Sequence, residues 1–356
     1  MPTQTPRTAA ARRSWRWARR AAIAAIAAGV GFLTLPALSG VPARLVKGCG
    51  AWIVSGGVLE LVSAVGFVVL FKLVFAAPVS WRRTMPAALR ALGASTILPA
   101  GGLVGPTVGA WSTSTEKPSL AQLTRSTVIF VILTNAPAAI GIATLGALLW
   151  LGLLAGPHNP ALTLLPATLA AAVLAATWLA ARSTKRHPTP PRGRLRRTLA
   201  KPTGALSDGI TDAQTLLNTR NWKLTGAIAY TAFDAAVLWA AFHAYGHTPP
   251  IAVISMGYLV GSVAGALPLP AGLGAVDGGL IGALALYGAP IAPTAAAVLL
   301  YRGISLTLPA ILGALGWMCS PAERSRRIAG RPARRFGAAR ATRRTAAELV
   351  TASVKS

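Results

Sequence analysis

Acidic residues are what this sequence has least of. Eight Asp and Glu stand against 35 Lys and Arg in 356 residues, with four His and two Cys. Cys49 and Cys319 each lie near the end of an apolar run, with no metal-ligand spacing and no disulfide framework. His158, His187 and His247 fall in loops and His243 near the end of an apolar run, so the histidines form no metal set. No GxxxxGK[ST] run occurs, and an ATP-driven step would need a separate partner. The stretch "GLGAVD", Gly272–Asp277, resembles a dinucleotide loop. It has Asp277 where the third Gly belongs and no strand before it, so it does not indicate a nucleotide cofactor. No nucleophile and base pair stands out either. The expectation is a chain that is not an enzyme and needs no cofactor.

Charge is sparse as well as one-sided. Only 12% of the residues are charged, 53% are hydrophobic, and the mean hydropathy is +0.55. Soluble domains carry about 25% charged residues. Crossing a hydrocarbon core takes about 20 apolar residues. Six runs reach that length: Ala21–Gly40, Ala51–Phe71, Ser126–Leu154, Ala161–Ala181, Leu224–Gly246 and Pro293–Met318. Two further stretches, Met85–Trp111 and Ile251–Tyr287, are apolar but interrupted by Pro and Gly. The fold class expected is all-α: a polytopic membrane helical bundle of about six full spans plus two broken re-entrant hairpins.

The formal net charge of +27 is segregated. Residues 1–20 hold six Arg, residues 182–201 hold eight Lys or Arg and no acid, and residues 321–356 hold ten Lys or Arg against two Glu. Short basic segments remain in the cytoplasm. Both termini and the central linker are therefore expected inside, against anionic lipid headgroups. Nucleic acid is not an expected partner, because no aromatic and basic reading surface accompanies the charge. A homo-oligomer remains open. Alternating the spans between basic faces sends Ala51–Phe71 inward and Leu224–Gly246 outward. Each broken stretch must then enter and leave on one face. Arg44 and Lys47 fall in the first outside turn and oppose this scheme mildly.

The two broken stretches share a tetrad. Leu98-Pro99-Ala100-Gly101, followed by Gly102, parallels Leu269-Pro270-Ala271-Gly272, which is preceded by Pro268 and followed by Gly274. Glu60 stands 38 residues ahead of Leu98, and Asp234 stands 35 ahead of Leu269. Opposite span directions make the two units inverted copies, an arrangement that points to a transport site near the midplane. Irregular backbone at membrane depth is tolerated only inside protein or beside water.

Three acids, Glu60, Asp234 and Asp277, lie in hydrophobic regions, with Arg302 in "VLLYRGISLTLP". Each costs roughly 2.5–3.5 kcal/mol at the bilayer centre, so such groups face a cavity or one another. Two readings stand for Asp277 and Arg302: ligands for a headgroup, or an internal ion pair pinning two helices. Asp277 also falls near the start of a half-helix, where it could cap free amides. Arg125, at a span end, is expected to snorkel to the interface. Residues 202–223 read as a short amphipathic helix with Leu206, Ile210, Leu216 and Leu217 on its apolar face.

At these residues the chain resembles the lysylphosphatidylglycerol synthase transmembrane-region family, also called flippase-like domain proteins. The resemblance rests on "LPLPAGLGAVDGGLIGALALYGAP" followed by "AAAVLLYRGISLTLPAILGAL", and on "FDAAVLWAAFHAYG", which carries Asp234. Tyr301 and Arg302 match the family's Y-R pair. Asp277 stands where a Glu is usual, and Ala271 replaces one Gly. "LELVSAVGFVVLFKLVF" and "LPAGGLVG" resemble first-half segments of actinobacterial members. The soluble aminoacyl-transferase domain of full-length synthases has no counterpart here, so lysyl transfer is not implied.

The expected organisation is a basic cytoplasmic N-terminus (1–20), a first membrane half (21–181, broken at 85–111) and a basic linker with a short amphipathic helix (182–223). A second membrane half (224–318, broken at 251–288) and a basic tail (319–356) follow. The function expected from the resemblance is movement of a phospholipid or related anionic or zwitterionic lipid across the cytoplasmic membrane. Asp277, Arg302, Asp234, Glu60 and Tyr301 would act on the headgroup. The broken tips would be Pro99, Gly101, Gly102, Pro268, Pro270, Gly272 and Gly274. Alternatives are a carrier of polyprenyl-linked sugar or another amphiphile, and a membrane scaffold that transports nothing.

Overall fold

A computed structural model of the chain describes residues 48–98, 101–113, 118–184, 194–219, 221–246, 248–265 and 272–319. The first apolar run, the basic N-terminus and most of the basic tail, together with Pro99, Pro268 and Pro270, lie outside the described residues. Contacts group the chain through Gly316 into one unit. A second begins at Trp317, and its described residues end the last helix.

Among the described residues there are ten α-helices and no strand: α1 Gly50–Phe75, α2 Trp81–Ile97, α3 Gly101–Thr113, α4 Leu120–Trp150, α5 Pro160–Thr184, α6 Arg194–Asn218, α7 Thr225–Ala244, α8 Ile251–Gly265, α9 Gly272–Leu286 and α10 Ile291–Met318. Five segments among the described residues are long and apolar enough to span a membrane: Gly50–Phe75, Leu120–Trp150, Pro160–Arg182, Trp222–Ala244 and Ile291–Met318. The chain is a polytopic helical membrane protein. Its helices carry a lipid-facing stripe as well as a packed one. On α1, Val54, Val58, Leu61, Val62 and Val65 are exposed, whereas Ser63, Phe67 and Phe71 are buried. Three- and four-residue spacing puts each set on its own face.

Both broken stretches form helical hairpins. In the sequence, the tetrad near Pro99 lies between α2 and α3, and the Pro-Gly run near Pro270 lies between α8 and α9. α8 and α9 have 15 residues each, about 22 Å at a rise of roughly 1.5 Å per residue, too short to span alone. They pack antiparallel: Gly257 meets Leu284, and Gly261 meets Leu280. In the first hairpin, Gly105 lies against Ser95 and Ala91, and Gly109 against Ala87.

The centre is the α1–α7 pair. At one end the Cys49 amide donates to the Ala244 carbonyl at 3.0 Å. Toward the other end Gly66 and Gly226 meet backbone to backbone. The two helices therefore run antiparallel, as the charge pattern requires of inverted copies. The remaining contacts exchange between halves. α10, which follows the second hairpin, packs on α2 of the first through Gly93 and Gly313. α4, which follows the first hairpin, packs on α8 of the second, with Gly141 against Leu259. Each hairpin has its own apolar core. Phe67, Phe71, Leu92, Phe130 and Leu133 serve the first, and Leu238, Phe242, Ile254, Met256 and Leu284 the second.

Two local expectations need correction. The amphipathic helix begins at Arg194 and runs to Asn218, well into the basic linker. Its packed face is also different. Ala205, Gly209 and Ala213 are buried, with Gly209 against Val128 and the Arg125 carbonyl of α4, whereas Leu206 and Leu217 are exposed. Close docking on α4 selects small side chains there; of the expected apolar residues, Ile210 and Leu216 are half-buried, Leu216 against the first core, while Leu206 and Leu217 turn outward. Arg125 is held by Asp212 of α6 in an ion pair instead of simply reaching for the interface.

The start of α4 is a capping box. The Gln122 amide donates to Ser119 Oγ at 3.2 Å, and the Ser119 amide donates to Gln122 Oε1 at 2.9 Å. Ser119→Ala removes one of these acceptors and should cost about 1 kcal/mol, read as a small fall in the thermal midpoint of the detergent-solubilised protein.

Candidate functional site

Helical periodicity and antiparallel pairing decide where the intramembrane acids fall. Glu60 is on α1 and Asp234 on α7, and the register set at Gly66 and Gly226 brings the two carboxyl groups within hydrogen-bonding reach. Glu60 is 5% exposed. Ser63, one turn on, donates to the Tyr230 carbonyl of α7 at 3.0 Å and ties the helices beside the acids.

Two tyrosines complete the shell of Asp234. Tyr258 of α8 donates to Asp234 Oδ2 at 2.6 Å, and Tyr301 of α10 donates to the same oxygen at 3.2 Å. Both tyrosines are buried, and their rings stand edge to face with centroids 6.2 Å apart. Asp234 Oδ1 and Glu60 Oε2 are buried without a hydrogen-bond partner. Each is an acceptor when ionised, and an orphaned buried acceptor is costly.

Arg302 follows Tyr301 on α10. Its Nε donates to Asp277 Oδ1 of α9, and its guanidinium carbon lies 5.8 Å from the Tyr301 ring centroid. The ion-pair side chains are 20% and 19% exposed, so this end of the cluster is neither sealed nor open. Arg302 also lies within electrostatic reach of Asp234. Asp277 is the sixth residue of α9, past the first turn, and its carboxylate accepts from Arg302.

Five helices thus meet in one polar string: Glu60, Asp234, Tyr258, Tyr301, Arg302, Asp277. Every intramembrane ionisable residue singled out from the sequence lies in it, as does Tyr301. Of the tip residues, Gly101 and Gly102 open α3, and Gly272 and Gly274 open α9. Among the described residues, the contacts gather beside the second hairpin and the α1, α7 and α10 spans.

Sequence reasoning missed Tyr258 and Tyr230. A signal existed, since the chain has only five tyrosines and Tyr258 sits inside a broken apolar segment. A phenol there needs a partner for its hydroxyl. His243 also has an identifiable place: it packs on Trp52 and Trp239, with ring centroids 4.5 and 4.2 Å away, and its Nδ1 hydrogen-bonds the Trp239 carbonyl at 3.0 Å. Among the described residues no group of three or more His, Cys, Asp or Glu could hold a metal.

The family model described as "Lysylphosphatidylglycerol synthase TM region" matches residues 21–313. No curated protein matches the chain. No solved structure matches it either.

Proposed function

From the premise that this chain belongs to the lysylphosphatidylglycerol synthase transmembrane-region family, we propose that it moves a phospholipid, zwitterionic or anionic, between the leaflets of the cytoplasmic membrane. The observation that carries the reading is the Arg302–Asp277 pair, one-fifth exposed at the end of a buried polar string. An ion pair in low dielectric is kept only where both charges stay matched. A zwitterionic headgroup offers the matching set: its phosphate replaces Asp277 on Arg302, and its amine replaces Arg302 on Asp277. An anionic lipid uses the first half of that exchange. The acyl chains stay in the bilayer, so the protein need only shelter the polar end.

For a zwitterionic lipid the exchange is therefore a swap of partners at nearly constant local charge. That keeps the desolvation penalty of the headgroup small compared with bare hydrocarbon. The test is reconstitution of the purified chain with headgroup-labelled fluorescent lipids and an impermeant reductant outside. Quenching should pass beyond the outer-leaflet fraction in protein-containing vesicles and stop there in empty ones. Equal quenching in both, across zwitterionic and anionic headgroups, would refute the proposal.

A further inference from the structure

Glu60 and Asp234 face each other from α1 and α7, and each has a buried oxygen with no partner. Two ionised carboxylates cannot bond, because neither has a donor. One proton resolves both orphans at once. Its place follows from the surrounding bonds. Asp234 Oδ2 already accepts from Tyr258 and Tyr301, so that carboxylate has two donors before the proton is counted. The proton then belongs on Glu60, whose carboxyl donates to Asp234.

We propose that Glu60 and Asp234 bind one exchangeable proton between them, and that this proton is the coupling ion of the lipid movement inferred above. The coupling rests on that reading; the proton site does not. The groups that set the local field are on the page. Tyr230 of α7 lies within electrostatic reach of both carboxyls. Tyr258 of α8 and Tyr301 of α10 bond Asp234, while Arg302 of α10 bonds Asp277 of α9 and acts on Asp234 from a distance. Three other cations among the described residues of the bundle have partners of their own. Lys72 of α1 is held by the Ala76 and Val79 carbonyls, Arg90 of α2 by the Pro86 carbonyl, and Arg125 of α4 by Asp212.

With the proton on, Glu60 is neutral, and Asp234, Asp277 and Arg302 together carry one net negative charge. With it off, Glu60 adds a second negative charge to that sum. The second negative charge repels an incoming phosphate and competes for Arg302. Such competition is strong at low dielectric. Proton loading therefore favours phosphate binding at Arg302, and proton and lipid travel in the same direction. A ligand shifts a state only through differential affinity, and here the added charge supplies it.

The test has two arms on the full chain. In the first, infrared spectra of the purified protein at neutral pH should show a buried protonated-carboxyl band. It should vanish in Glu60→Gln, whose amide replaces the donor without changing shape, and shift in Asp234→Asn. No such band, or a band unmoved in both variants, overturns the proton site. In the second, vesicles carrying a gradient of about one pH unit should build up to about tenfold lipid asymmetry for one proton per lipid. Lipid movement that ignores the gradient overturns the coupling. A carboxyl band lost in Glu60→Gln, in a protein that moves no lipid at all, supports the proton site and removes the flippase reading.

Discussion

Replacing Arg302 by Gln is expected to abolish lipid movement and to lower stability by about 1–3 kcal/mol. The loss of stability comes from Asp277, which keeps its charge and loses its partner while four-fifths buried. The figure is set below the usual cost for breaking a fully buried pair, because the remaining exposure lets water reach the carboxylate. Asp277→Asn should weaken the fold through the reverse orphan, a guanidinium left without its carboxylate. The double variant Arg302→Gln with Asp277→Asn removes both charges and should recover most of the stability. It should recover none of the lipid movement, because no cation remains for phosphate. Thermal unfolding in detergent and the reductant assay in vesicles read the two properties separately. A scaffold whose ion pair only pins α9 to α10 gives the opposite result: the double variant behaves as wild type in every respect. The charge-reversed pair, Arg302→Asp with Asp277→Arg, sharpens the contrast, since it restores a salt bridge but places the cation on the wrong helix.

The second large effect is at the α1–α7 crossing. A β-carbon at Gly66 would sit 2.7 Å from both the Gly226 carbonyl oxygen and the Tyr230 amide nitrogen. One at Gly226 would sit 2.7 Å from the Gly66 carbonyl oxygen. These are backbone atoms of the facing helix, so no rotamer change can relieve the overlap. Gly66→Ala should therefore cost about 3 kcal/mol, at the upper end of ordinary overpacking, and Gly66→Val should prevent recovery of a monodisperse protein. The damage reaches the site, because separating α1 from α7 also separates Glu60 from Asp234. Gly282 of α9 provides the control. A β-carbon there meets nothing within 4 Å, and Gly282→Ala should be neutral or stabilise by up to about 1 kcal/mol through helix propensity. Thermal midpoints by size-exclusion would rank the three. If Gly66→Ala matched Gly282→Ala, the described crossing would be wrong.

The architecture was legible in the sequence wherever it depends on solvent. Apolar length marks the spans, Pro and Gly mark the breaks near Pro99 and Pro270, and basic segments at alternate turns require α1 and α7 to run in opposite directions. The site residues were legible for a related reason. A carboxylate or guanidinium in hydrocarbon is expensive enough to be conspicuous, so Glu60, Asp234, Asp277 and Arg302 could be singled out without coordinates. The face of α6 was legible only in part, because residue size, and not hydrophobicity alone, governs close helix packing: Ala205, Gly209 and Ala213 go in, Leu216 packs at the edge, and Leu206 stays out.

By itself, then, the sequence determined that this is a many-span helical membrane protein with two broken hairpins and four ionised-type residues at membrane depth, because transfer into lipid penalises polar groups one residue at a time. Only the tertiary structure decided who meets whom: Glu60 with Asp234, Tyr258 and Tyr301 on one Asp234 oxygen, Arg302 with Asp277. Those pairings depend on the rotation and register of five helices. Backbone contacts such as Gly66 on Gly226 set them, and no single stretch of chain encodes them.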